Sequence, residues 1–303
     1  MKARRALALE SASVAAVIRD ACSTEIRAFK PGNVSTVSPG HGMDAHDFIA
    51  SAETMAGAIA APGLDVGERI LRAIEATRVV VPFNTNLGIV LLCAPLAHAA
   101  CARMVEPNLR ARLHAVLAGL DVDDAELAYR AIRVAQPGGL GRSERHDVAQ
   151  SPGVTLREAM DEARDRDRIA YQYVTDYRDI FETGLPVLHD GLARWRSREW
   201  AAVHVYLLFL ARVADSHIAR RHGAEVAASV SVQARELSQA LGRAGDPARE
   251  MPALEAFDRQ LKARSINPGT SADMTVAALV AMDLEDSLEQ AARKNRAEVG
   301  ASG

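Results

Sequence analysis

Apolar residues recur at intervals of three and four along almost the whole chain, the spacing that places them on one face of an α-helix. The first such run is Val14, Val17, Ile18 and Cys22. The segment 87–104 is apolar on nearly every face, which predicts a central buried helix. The only strand-like signal is a β-branched run, Val79–Val81, bounded by Pro82. The pattern predicts one all-α domain of about a dozen helices over residues 1–299, with a disordered tail at 300–303.

One long segment breaks the helical spacing. It runs from Gln136 to Gly153 and contains glycines, prolines and the basic residue Arg142. A loop of this length inside a compact domain is usually functional or mobile. Helical runs of similar character lie on both sides of it, so the loop is not interpreted as a domain boundary.

Composition narrows the classes of function. The chain has 303 residues, a formal net charge of −3 and only 4% aromatic residues, so it has neither the basic excess nor the stacking platform of a nucleic-acid binder. Cys22, Cys93 and Cys101 lie in apolar runs without metal-ligand spacing, which indicates buried thiols in a reducing compartment. Glu10 interrupts the apolar start, and the apolar run 87–102 is shorter than the ~20 residues of a membrane span. We therefore expect a soluble, cytoplasmic protein.

Four short polar strings separate the helical runs. Helix ends carry unpaired backbone N–H groups and a partial positive charge, so they suit anions such as phosphate. The strings are Lys30-Pro31-Gly32-Asn33-Val34-Ser35, Asn84-Thr85-Asn86-Leu87-Gly88, Asp215-Ser216-His217-Ile218-Ala219-Arg220 and Asn267-Pro268-Gly269-Thr270-Ser271-Ala272-Asp273.

Each string also has a purely structural interpretation. Pro31 and Gly32 are typical of a helix stop, and Asp44, which precedes the helix containing Phe48, is a good N-cap residue. Asn84 could cap the apolar helix that follows it, and Thr270 with Asp273 has the spacing of a capping box. Asp44 and Asp47 could also share a magnesium ion, because hard cations prefer carboxylate oxygens, but the cap is preferred unless further ligands converge there.

Asp215 is harder to explain structurally. It follows a strongly apolar run, where an unpaired buried carboxylate is costly. Metal ligation or pairing with an arginine such as Arg220 would relieve that cost. The sequence has no Walker-type phosphate loop, no Gly-x-Gly-x-x-Gly and no Gly-x-Ser-x-Gly, so a nucleotide would have to bind to a helical scaffold.

In this order, the strings resemble the triphosphoribosyl-dephospho-CoA synthase family, over about residues 15–282. The resemblance implies an all-helical enzyme that uses ATP and 3′-dephospho-CoA. In that reaction the 2′-hydroxyl of the dephospho-CoA ribose replaces adenine at C1′ of ATP. Asn86-Leu87 and Ser216-His217 differ from the members associated with citrate lyase and are similar to a branch in methanogens and methylotrophs.

Residue chemistry and the resemblance together assign a candidate site. Phosphate groups need cations, a developing oxocarbenium ion needs carboxylates, and the attacking hydroxyl needs a base. Asp44, Asp215 and Asp273 are the candidate catalytic residues and Mg²⁺ ligands. The candidate nucleotide-binding residues are Lys30, Asn33, Ser35, Asn84, Thr85, Asn86, Arg142 and Arg220. ATP is the expected substrate and Mg²⁺ is the expected cofactor. The expected partners are small molecules, and we expect binding to neither nucleic acid nor a membrane. A homodimer is possible.

Three alternatives remain open from the sequence. The first is a related nucleotide-using enzyme in the biosynthesis of a one-carbon carrier of the methanopterin or methanofuran type. The second is a Mg²⁺-dependent N-glycosidase that uses water as acceptor. The third is a non-catalytic helical protein that binds nucleotide and regulates a partner.

Overall fold

The computed structural model describes the backbone of residues 6–301 and the side chains of residues 6–297. Within this range the chain forms helices joined by turns and loops, with isolated β-bridges but no strand. The predicted all-α fold is therefore confirmed. The α-helices are α1 (Ser11–Arg27), α2 (Ala45–Ala60), α3 (Val66–Val80), α4 (Leu87–Cys101), α5 (Leu109–Ala118), α6 (Val122–Ala135), α7 (Leu156–Ala163), α8 (Arg168–Val174), α9 (Leu185–Trp195), α10 (Arg198–Arg212), α11 (Ser216–His222), α12 (Ala224–Arg243), α13 (Met251–Ala263) and α14 (Gly269–Ala301).

Helix α4 lies in the core, as its apolarity predicts. Every residue from Leu87 to Ala100 is buried except His98, which is half-buried. The helix contains Pro95, which cannot donate a hydrogen bond to the carbonyl of Leu91. The hydroxyl of Tyr173 donates to that carbonyl instead, at 2.6 Å. A buried proline is thus tolerated because a side chain satisfies the acceptor that it leaves unpaired.

Helices α1, α2, α3, α5, α8 and α14 all pack against α4, and α10 packs against α1, α9, α12 and α14. The β-branched run 79–81 belongs to the end of α3 and its C-cap, so its strand signal was misleading. Between α6 and α7 the chain forms the predicted long loop, which Asp147 ties together by accepting from the amides of Ser143 and Ala149.

The ends of several helices are set by local side-chain caps. Asp44 caps α2 with Asp47 in a reciprocal capping box, and Thr155 does the same for α7 with Glu158, as their spacing predicts. Helix α14 continues to Ala301, and residues 302–303 of the tail predicted to be disordered lie outside the described residues.

Within residues 6–301, no single helix is both long and apolar enough to cross a membrane. Helices α10 and α11 reach that length and apolarity only when taken together, and they are bent by 53° relative to each other.

Candidate active site

Asp215 joins the third and fourth polar strings. One carboxylate oxygen accepts from the amides of His217 and Ile218, which makes Asp215 the N-cap of α11. The other oxygen accepts from the amide and the hydroxyl of Ser271 in the first turn of α14, both at 2.8 Å. Burial raises the pKa of Asp215, although the Ser271 hydrogen bonds and Arg220 oppose the shift. Because both of its oxygens accept hydrogen bonds, Asp215 links the start of α11 to the start of α14.

The capping box predicted for Thr270 and Asp273 is wrong. Helix α14 begins at Gly269, so Thr270 already lies inside it. The hydroxyl of Thr270 accepts a hydrogen bond from the amide of His217 rather than from α14. Asp273 is consequently released from a capping role and lies in the second turn of the helix.

Among the three candidate catalytic carboxylates, Asp273 has the fewest hydrogen bonds. It accepts no hydrogen bond from any described residue and lies directly against Gly88, at the start of α4. Burial raises its pKa well above the ordinary value, and the neighbouring carboxylates of Glu25 and Asp215 raise it further. A carboxylate held in this way interacts strongly with any cation or developing positive charge brought beside it.

A basic side chain faces this group of carboxylates. Arg220 projects from α11 and forms an ion pair with Asp167, the N-cap of α8. Arg220 also lowers the pKa of both Asp215 and Asp273, which shows that its charge acts on both carboxylates. The amide of Arg168 donates to the hydroxyl of Ser216, so the start of α8 is held against the third string.

The first string is anchored to the C-terminal part of the chain. Asp258 on α13 accepts from the amide of Gly32 and from the hydroxyl of Ser38, each at 2.7 Å, and pairs with Lys262. The side-chain amide of Asn33 donates to Asn267, at 2.7 Å. The first and fourth strings therefore lie side by side. Sequence reasoning did not identify Asp258.

The second string is used mainly inside the fold. Asn84 lies two residues before Asn86, the N-cap of α4, and its side-chain oxygen accepts from the backbone amides of Asn86 and Leu87. The hydroxyl of Thr85 forms a hydrogen bond with that of Ser51 of α2, and the side-chain amide of Asn86 donates to the hydroxyl of Thr77 of α3. The contact of Gly88 with Asp273 places this string beside the fourth.

Four predicted site residues are held in other ways. Lys30 is buried and bonded within the fold, and Ser35 is buried, with a hydroxyl that has no partner among the described residues. Asp44 is an exposed helix cap. Arg142 is exposed in the 136–153 loop, whose Gly139 packs against the backbone of Arg220.

Lys30 forms a buried ion pair that sequence reasoning missed. Its ammonium lies 3.2 Å from a carboxylate oxygen of Glu25 and donates to the carbonyls of Glu25 and Val34, each at 2.8 Å. Burial lowers the pKa of Lys30 and raises that of Glu25. Glu25 falls at the apolar spacing of α1, seven residues after Ile18, and this was the available signal that it is buried.

Glu25 also lines a cleft of about 90 Å³ between α1, α2 and the start of α4. The cleft has apolar walls, including Phe48 and Met55, and polar groups from Ser51 and Asn86. Neither Asp215 nor Asp273 lines it, but Glu25 acts electrostatically on Asp273. Glu25 therefore borders the cleft and is close enough to Asp273 for its charge to act on that carboxyl.

No group of three or more imidazole, thiol or carboxylate ligands that could hold a metal occurs in the part of the chain that the structure describes. Asp44, Asp215 and Asp273 are thus not assembled into a three-carboxylate centre. Magnesium is usually held by one or two carboxylates together with substrate phosphates, and Asp273 fits that arrangement. The site therefore contains the carboxylate of Asp273, which accepts no hydrogen bond from the described residues, the carboxylate of Asp215, whose two oxygens both accept hydrogen bonds, and the nearby guanidinium of Arg220.

These features define an all-helical enzyme with a polar site at the meeting point of several helix ends. Residues 11–292 match the model of the CitG family, the ATP:dephospho-CoA triphosphoribosyl transferases. The chain belongs to this family, and the match covers most of its length. The protein is accordingly a transferase of the triphosphoribosyl-dephospho-CoA synthase type.

The fold is also similar to a crystal structure from Archaeoglobus fulgidus, of a protein provisionally named triphosphoribosyl-dephospho-CoA synthase. The two share 24% identity with a TM-score of 0.60, over 77% of this chain and 97% of the other. At this identity the likeness supports the fold. A search among curated proteins found no significant relative.

Proposed function

We propose that this protein transfers the triphosphoribosyl group of ATP to the 2′-hydroxyl of 3′-dephospho-CoA and releases adenine. Family membership supports the reaction class. The observation that carries the proposal for this chain is the convergence of Gly88, Asp215, Arg220 and Asp273 at one junction of helix ends.

Asp273 is the group that we assign to the reacting carbon. Loss of adenine leaves positive charge on the ribose, and a carboxylate at that carbon stabilises the oxocarbenium-like transition state. The same oxygens could hold Mg²⁺ with the triphosphate, and this ion would supply charge neutralisation for the phosphates. Asp215 keeps Ser271 and the start of α14 in place, so its contribution is to orient Asp273.

Arg220 is the best-placed phosphate ligand among the predicted residues. Its ion pair with Asp167 fixes the guanidinium next to the carboxylates, and guanidinium groups bind phosphate through paired hydrogen bonds. Arg142 could join it from the 136–153 loop, because this loop packs on the backbone of Arg220. Asn33 and Asn84, at neighbouring strings, are proposed to bind ribose or base.

The chain's departures from the citrate-lyase pattern favour a second candidate acceptor. The start of α4 carries Asn86 and Leu87, both buried, and therefore presents no basic side chain at these two positions. A one-carbon-carrier precursor with a hydroxyl group would then replace dephospho-CoA. The homodimer left open by the sequence stays a prediction.

The test is incubation of the purified protein with ATP, Mg²⁺ and dephospho-CoA, followed by chromatography for adenine and mass analysis of the products. We expect adenine and a triphosphoribosyl adduct in equal amounts. Replacing Asp273 by asparagine should reduce turnover by at least about 10²-fold, whereas Asp286→Asn, an exposed site on the same helix, should have no effect.

The controls separate the alternatives. Adenine released without any acceptor would indicate an N-glycosidase. If the protein binds ATP but turns over neither dephospho-CoA nor a one-carbon-carrier precursor, the result would support a regulatory protein. Absence of ATP binding at millimolar concentration would refute the enzyme proposal.

A further inference from the structure

The buried ion pair of Glu25 and Lys30 is energetically costly. Replacing such a pair with apolar residues is often neutral or stabilising, because removing two charges from water costs more than their attraction returns. Here the side chain of Lys30 is 0% exposed and that of Glu25 is 6% exposed. A costly buried ion pair that borders a cleft suggests a functional role.

Lys30 is fully occupied by the protein. Its ammonium pairs with the carboxylate of Glu25 and is also close to three backbone carbonyls, those of Glu25, Ala28 and Val34. An ammonium has only three N–H donors, so Lys30 has none to spare for a phosphate. Its charge instead acts on Glu25, whose pKa it lowers against the effect of burial. Lys30 thus holds one carboxylate oxygen of Glu25 and fixes the orientation of the other.

Glu25 can be reached from the cleft and lies near the reacting carboxylate. It lines the cleft formed by α1, α2 and α4, together with Ser51 and Asn86. Its charge is the largest electrostatic contribution to the raised pKa of Asp273, ahead of Asp215. Glu25 thus lines the cleft and acts on Asp273, and its helix α1 packs against α14, which carries Asp273. An acceptor that enters through the cleft would reach Glu25 on its way to a ribose held at Asp273.

We propose that Glu25, positioned by Lys30, is the general base that takes the proton from the acceptor hydroxyl. The inference rests on the proposed function. The hydroxyl proton passes to a carboxylate oxygen of Glu25 while the hydroxyl oxygen bonds to C1′ of the ATP ribose. The bond from C1′ to the purine nitrogen breaks and its electron pair leaves with adenine. The proton returns through solvent to the departing adenine, so no further reactant is needed.

The protonation of Glu25 depends on all the titratable groups around it. Cys22 lies on the same helix, Lys30 follows it, Tyr206 approaches from α10 and Asp273 from α14. Lys30 is the one among these that favours the charged carboxylate. Burial raises the pKa of Glu25 above its ordinary value, which brings it nearer to neutral pH, where a general base is most effective.

The decisive variants are Glu25→Gln and the double variant E25Q/K30M. The single variant should bind ATP with an affinity within about threefold of wild type, while adenine release falls by at least about 10²-fold. The double variant removes both buried charges but leaves the carbonyls of Glu25 and Val34 without their donor, so its folding is checked by circular dichroism; the folded protein should be as inactive as the single variant. Asp20→Asn, at an exposed position of α1 that does not line the cleft, is the matched control and should retain wild-type activity.

Lys30→Met tests the positioning role separately. Without the ammonium, the pKa of Glu25 should rise, so the acidic limb of the rate profile should move to higher pH. An unchanged profile in a folded variant would contradict the role of Lys30.

The outcomes are distinguishable. If wild type releases adenine and the double variant does so equally fast, Glu25 is not the base, and this inference fails while the proposed function stands. If wild type releases no adenine with any acceptor tested, both fail together.

Discussion

Gly88 offers the sharpest test of the site, because its missing side chain makes room for Asp273. A methyl group added at Gly88 would lie 2.5 Å from the carboxyl carbon of Asp273 and 2.8 Å from the Cδ1 atom of Ile169. Ordinary contact at such a position begins near 3.4 Å. The substitution Gly88→Ala should therefore push the Asp273 carboxylate about 1 Å away from the start of α4, since the interior has no spare volume to absorb it.

The substitution should raise the activation barrier by at least as much as it lowers the stability of the fold. A misplacement of about 1 Å at a reacting group costs on the order of 10²-fold in rate, or about 2.7 kcal/mol in the barrier. Overpacking costs about 1–3 kcal/mol of stability, and replacing glycine by alanine in a helix recovers about 0.4–1 kcal/mol of it. For a chain of this size, the melting temperature should fall by no more than about 4 °C.

The assay measures adenine release and thermal unfolding side by side for wild type, Gly88→Ala and Gly57→Ala. Gly57 lies on α2 with no atom within 4 Å of an added methyl group, so it is a matched control. Its substitution should leave the rate unchanged and raise the melting temperature by about 1–2 °C. Wild-type turnover in the Gly88→Ala variant would refute the assignment of Asp273 to the reacting carbon.

Three further predictions follow from the contacts of the site. Asp273→Asn should raise the melting temperature at pH 7, because the folded state raises the pKa of this carboxyl and so loses stability as pH rises through the folded pKa. Thermal melts between pH 4 and pH 8 should show that the difference in melting temperature between variant and wild type shrinks on acidification. A constant difference would contradict the raised pKa. Asp258→Ala leaves the amide of Gly32 and the ammonium of Lys262 unpaired, so urea unfolding should show a loss of about 2–4 kcal/mol, which an unchanged midpoint would rule out. Arg220→Ala should weaken ATP binding by about tenfold or more in calorimetry, whereas equal affinity would remove this residue from the phosphate site.

Local features were the ones that the sequence predicted well. The cap formed by Asp44 was predicted because donor and acceptor lie within three residues, so spacing alone determines its geometry. The all-α fold and the buried α4 followed from spacing and apolarity, which act within one helix. The loop at 136–153 was recognised in the same way, by the absence of that spacing.

The same local reasoning failed wherever a distant partner competed for a side chain. Thr270 has the spacing of a cap, but its hydroxyl accepts from His217, 53 residues earlier in the chain. Gly32 was interpreted as a helix stop, and that local reasoning gave no indication that its amide donates to Asp258, 226 residues later. Nothing in either local segment records these partners, because they are chosen by the packing of helices that the chain brings together only on folding.

The sequence by itself determined which residues could carry the chemistry; only the tertiary structure decided how they divide the work. Asp215 and Asp273 appear equivalent in sequence, each an acid at a helix junction. In the fold, Asp215 is saturated by four hydrogen bonds while Asp273 accepts none from the described residues. Lys30 looked like a phosphate ligand and is instead buried against Glu25. A side chain's hydrogen-bonding capacity is intrinsic, but what remains of it for a substrate depends on the neighbours that the fold supplies.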